Sequence, residues 1–77
     1  MHQRQDLLAF LDLATELLDL QLRVLQAHSV EHVVTIAREY GFFFEAHELR
    51  DAARSLFSEH WSWLSRARLW HFDRALP

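Results

Sequence analysis

The chain has 77 residues, 51% hydrophobic and 25% charged, with one Gly, one Pro and no Cys. That length holds one small domain, and so few turn-forming residues exclude sandwiches, barrels, collagen-like repeats and disordered linkers, leaving an all-α unit. The formal net charge is −3, which argues against bulk nucleic-acid binding.

The missing residue types exclude further chemistry. Without Cys there is no disulfide, zinc thiolate, iron–sulfur ligand or thiol nucleophile. All eight cations are Arg, so Schiff-base chemistry and a phosphate-binding lysine are excluded. No cofactor is expected. The charge is unevenly spread. Residues 1–49 carry three Arg against eight acids, a balance of −5, and residues 50–77 carry five Arg against three acids, a balance of +2. An acidic front and a mildly basic tail predict two different surfaces.

The first helical pattern runs from about Gln3 to Ala27. Leu7, Leu11, Ala14, Leu18, Leu22 and Leu25 form one stripe, with Phe10, Leu13, Leu17, Leu20 and Val24 beside it. Together they cover roughly 220° of the helix circumference at ~100° per residue. A helix that caps a small core needs only about 100°. The surplus predicts that the helix is covered on two sides or offers one side to another chain, and a break around Thr15 to Asp19 is an open alternative. Asp12, Glu16 and Asp19 interrupt the apolar run, which excludes a signal-peptide core or a membrane span in that stretch. A cytoplasmic protein is the expectation.

Ser29 opens the second, shorter pattern as an N-cap, with Glu31 in the first turn. Val30, Val33, Val34, Ala37 and Tyr40 are expected to make its buried stripe, with Ile36 at the edge. Gly41, the sole glycine, stands where a C′ residue takes positive φ, and Phe42 follows in position for the apolar contact of that cap. Phe42–Phe44 is an unusually apolar connector. A third pattern begins near Glu45, and nothing in the sequence stops it before Pro77.

From Leu7 to Leu49 the order of residues resembles the Nif-eleven domain family, the nitrogen-fixation-associated leader domain. Phe10-Leu11, Leu20-Gln21 and Ala27 match its first helix. Ser29, Val33-Val34, Ile36-Ala37 and Gly41 match its second. Phe42, Phe44 and Glu48-Leu49 match its closing segment. The resemblance implies a non-catalytic role. Many members are leader regions of ribosomally made peptides, recognised by a modifying enzyme, and others are short stand-alone proteins. The sequence departs from the leader pattern in two respects. No double-glycine-like cleavage signal follows Gly41, and the absence of Cys excludes a lanthionine product.

Candidate chemistry is sparse. His28 and His32 have the spacing of two ligands on one helix face, but Ser29 as N-cap puts His28 outside the helix. His60 and His71 could share a face, but about 16 Å apart at the helical rise, too far for one ion. Ser58 with His60, or Ser62 with Glu59, lacks an oriented base and an oxyanion site, so no catalytic residue and no metal ligand is assigned.

The tail is the richer signal. Trp61, Trp63, Trp70, Arg66 and Arg68 combine the residue types enriched at protein interfaces. Folding back onto the first helix, docking a protein and lying on a membrane surface are the three readings. Phe43 and Phe44 join the candidate partner-binding residues. Ser29 and Gly41 are the helix caps.

The expected architecture is a small helical hairpin or three-helix unit. It has a long or kinked first helix, a short second helix and a long C-terminal third helix. Residues 1–50 form the domain that resembles the family. Residues 51–77 form a helical Trp/Arg-rich extension packed on it or on a partner. The expected function is recognition by a larger protein, either a peptide-modifying enzyme or the other subunits of a complex. Homo-oligomerisation is a further expectation, and a membrane-surface peptide is the third class.

Overall fold

A computed structural model describes residues 3–57 and 61–72. The chain folds as α1 (Gln3–Glu16), α2 (Leu18–Gln26), α3 (Val30–Glu39) and α4 (Ala46–Phe57), then a 3-10 helix (Ser62–Arg66) and a single turn, α5 (Leu69–Phe72). The described residues contain no strand. The all-α class follows from the 3.6-residue periodicity of the apolar positions.

The long first pattern is two helices. Leu17 is the hinge, with extended backbone at φ −105 and ψ 106. Its N–H still closes α1 onto the Leu13 carbonyl at 2.9 Å, and its own carbonyl opens α2 by accepting from the Gln21 N–H at 2.9 Å. The Gln21 side chain donates to the Ala14 carbonyl at 3.3 Å, which partners one of the carbonyls freed at the end of α1. Burial in one core accounts for the break. A straight helix from Gln3 to Ala27 would be about 37 Å long at 1.5 Å per residue, whereas the longest dimension of the molecule is 28 Å. Bending at Leu17 lets Leu7, Phe10, Leu11 and Ala14 of α1 and Leu20 and Val24 of α2 enter one core.

Both ends of α3 are built as the sequence predicts. The Ser29 Oγ accepts from the His32 N–H at 3.1 Å. At the other end the Phe42 N–H donates to the Ala37 carbonyl at 3.0 Å and the Gly41 N–H to the Arg38 carbonyl at 3.0 Å. That bond pair is a Schellman closure, and Gly41 supplies its left-handed residue at φ 88. The closure turns the chain so that Phe42 and Phe44 reach Phe10, with ring centroids 5.9 and 5.8 Å away.

The expected long C-terminal helix is the main correction to the fold. Helix α4 is described as far as Phe57, and beyond it Trp61 is not helical and Ser62 opens a 3-10 helix. A continuous helix from Ala46 to Phe72 would be about 40 Å long, again longer than the molecule. It would carry Trp63 and Leu64 away from apolar surface on α1 and α2 that needs cover. Instead Trp61, Trp63, Leu64, Ala67 and Leu69 are buried in the same cluster as Leu7, Phe10 and Val24.

Candidate partner-binding surfaces

The tail is held by directional bonds as well as by burial. The Trp63 indole N–H donates to the Thr15 hydroxyl at 3.0 Å, while that hydroxyl donates to the Leu11 carbonyl at 2.8 Å. The Arg68 N–H donates to the Leu25 carbonyl at 2.8 Å, and the Trp70 indole N–H to the Leu64 carbonyl at 2.7 Å. Trp70 also meets Phe57 edge-on, with centroids 5.4 Å apart. The Trp63 and Trp70 indole donors thus each have an acceptor, which offsets the cost of withdrawing them from water.

This arrangement sorts the candidate interface residues. Phe44, Trp61 and Trp63 are buried. Their apolar area lies in the chain's own core. Trp70 is half-buried, and Arg66 and Arg68 are exposed. Phe43 stands out at 58% exposure. Its N–H donates to the Asp6 carboxylate at 2.9 Å, which fixes the connector against α1 and leaves the ring outward. Ser58, Glu59, His60 and Arg74 lie outside the described residues.

A second exposed patch lies beside the hinge. Leu17, Leu18 and Leu22 are exposed at 44%, 69% and 52%, and Tyr40 at 38%. Leu17, Leu18 and Tyr40, with Leu20, Glu16 and Asp19, line an open groove of about 440 Å³ beside the hinge. Leu22 lies one helical turn beyond Leu18 on the same face. The signal was present in the surplus apolar arc of the first pattern. Periodicity could not say which leucines the bend would leave outside.

Charges around the groove are mostly acidic. Arg23 is paired with Glu39 at 3.0 Å, both side chains being well exposed. Hydrogen bonding by the Arg23 guanidinium holds the Glu39 carboxyl below the usual glutamate range, and Glu39 with Tyr40 in turn raises Arg23. The pair neutralises itself and leaves Glu16 and Asp19 as the net charges of the rim.

A smaller cleft of about 290 Å³ lies between α1 and α4, lined by Leu7, His47, Glu48, Asp51 and Ala52. The Glu48 Oε2 is buried there and accepts no hydrogen bond among the described residues. His28 and His32 stack with centroids 6.1 Å apart and rings 14° from parallel. The His32 Nδ1 accepts from the His28 N–H at 3.4 Å, so the pair serves the start of α3. Among the described residues no group of three or more His, Asp or Glu could hold a metal ion. No described helix is long and apolar enough to cross a membrane.

A comparison with protein-family models matches the Nif11 domain over residues 3–49. The match covers α1 to α3, the aromatic connector and the first turn of α4. No curated protein and no solved structure matches.

Proposed function

The chain belongs to the Nif11 domain family, and from that premise we propose that it is a non-catalytic recognition module bound by a larger protein. One observation carries the reading. The core is closed by the chain's own tail, yet Leu17, Leu18, Leu22, Tyr40 and Phe43 remain exposed. Large exposed apolar side chains grouped in a patch mark contact sites more often than single scattered ones do. In the leader use of the family the larger protein is a peptide-modifying enzyme.

A specific observation favours the stand-alone use, as a regulatory or assembly subunit of a complex, including one in nitrogen-fixation metabolism. Trp61, Trp63, Leu64, Ala67 and Leu69 are core residues. An enzyme acting on that stretch would first have to unfold the domain that it recognises. Burial of these residues supports a described tail that walls the core over one presented as a substrate. A membrane-surface role is disfavoured because Trp61 and Trp63 are inside and the exposed leucines are rimmed by carboxylates, which anionic headgroups repel.

Two measurements on protein from the native host test the reading. Size-exclusion chromatography at native concentration should place the chain in a complex with a larger protein. Elution as a free 9.2 kDa monomer would refute the recognition role. Intact mass then separates the two uses. An unmodified chain fits the subunit, and a modified or shortened one fits the carrier.

A further inference from the structure

We propose that the hinge groove, formed by Leu17, Leu18 and Tyr40 and extended by Leu22, is the docking site for a basic amphipathic segment of the partner protein. The proposal rests on the recognition reading above and names the surface and the chemistry of its occupant.

Shape and charge carry it together. The floor is apolar, and Leu18 and Leu22 stand one turn apart on α2, so their side chains form a continuous ridge. The partner must therefore bring apolar side chains at matching intervals, as a helix lying in a groove does. Glu16 and Asp19 sit on the rim, and the nearby cation Arg23 is occupied by Glu39. An incoming segment with acidic flanks would meet uncompensated like charge, whereas Arg or Lys flanks would pair with the rim. The same argument disfavours a symmetric dimer through this face, because a two-fold contact brings together two copies of one acidic rim and adds no cation to pair with it.

The hinge explains why the leucines are available. The backbone bends at Leu17 to bring Leu20 and Val24 inward, and Leu17, Leu18 and Leu22 are left on the outside of the bend. Their exposure is a consequence of the bonded backbone geometry at both sides of the hinge, not of a loose segment.

The test is photo-crosslinking of the full chain in its native host, with benzoylphenylalanine placed at Leu22 in one variant and at Phe43 in another. Circular dichroism checks that each variant keeps its helices, and the linked peptides are mapped by mass spectrometry. The expected result is a crosslink from position 22 to a larger protein, in a segment where Arg or Lys flanks apolar residues at helical spacing. Adding Glu16→Arg and Asp19→Arg should lower that yield about tenfold or more, because rim charges steer the encounter. A crosslink to a second copy of this chain, to lipid or to an acidic segment would overturn the proposal, as would an undiminished yield after charge reversal. Crosslinking from position 43 alone would remove this site and leave the recognition reading standing. No crosslink from either position would remove both.

Discussion

Replacing Trp63 with Ala tests whether the tail is part of the fold. The side chain is 7% exposed, and it joins the 3-10 helix to α1 through the 3.0 Å bond to Thr15. Truncating a buried aromatic to Ala costs about 3–5 kcal/mol, the sum of lost transfer energy and an unfilled cavity. A chain of this length has about 4–12 kcal/mol in all, at about 0.05–0.15 kcal/mol per residue. Trp63→Ala should therefore remove about a quarter of the stability or more. With an m-value of about 1 kcal/mol/M, typical of a small domain, the urea midpoint followed by far-ultraviolet circular dichroism should fall by about 3 M or the folded baseline should vanish. The hydrogen bond can be separated from the packing. Thr15→Val leaves the indole N–H unpaired and should cost about 1–3 kcal/mol, while the coupling in a cycle with Trp63→Phe should be about 0.5–1.5 kcal/mol. A midpoint shift below about 0.5 M for Trp63→Ala, half a kcal/mol at that m-value, would refute the reasoning. The tail would then be a separable appendage, and the case against its being a presented substrate would fall with it.

Three further outcomes follow from the helix ends and the surface pair. Ser29→Ala removes the acceptor of the His32 N–H and should cost about 1 kcal/mol, a drop of about 4–8 °C in Tm by calorimetry. Gly41→Ala meets no atom within 4 Å but keeps the φ of +88, so its cost of about 1–2 kcal/mol is backbone strain alone. Gly41→Asn should destabilise less, and equal Tm values for all three would show that the cap tolerates any residue. Glu39 has a lowered carboxyl pKa through its bond to Arg23. Its stabilising effect is thus present above the unfolded value near ~4.3 and is lost as pH falls through the lower folded value. Between pH 6 and pH 3 the wild type should lose more of its urea midpoint than Glu39→Gln does, and 0.5 M salt should shrink the difference, since exposed pairs are screened by about this concentration. Identical pH profiles would show that the pair contributes nothing.

The legible parts of the candidate surfaces were those set by composition. Exposed Phe43 could be singled out because its neighbours Phe42 and Phe44 are accounted for as cap contact and core anchor, which leaves the ring between them without a place inside. The buried indoles could not be told from interface residues, because Trp61 and Trp63 satisfy the same enrichment whether they face a partner or the chain's own α1. The leucine groove was legible only as a surplus. The apolar arc of the first pattern was too wide for one small core, but which leucines were extra depended on where the backbone turned.

Local chemistry alone determined the all-α class, the cap at Ser29 and the closure at Gly41. Each depends on hydrogen bonds and φ values within a few residues of the cap, so neighbours in sequence suffice to specify it. The bend at Leu17 and the return of residues 61–69 were decided only by tertiary structure. No glycine or proline marks either place, and local propensity would continue both helices. What overrides it is the size of the core. Straight helices of about 37 and 40 Å at the helical rise would exceed the 28 Å extent of the folded molecule and would spread the apolar residues over a longer, thinner core. The backbone breaks where burial of Val24, Trp63 and Leu64 outweighs the helical bonds given up, and the leucines stranded outside the first break become the surface that a partner can use.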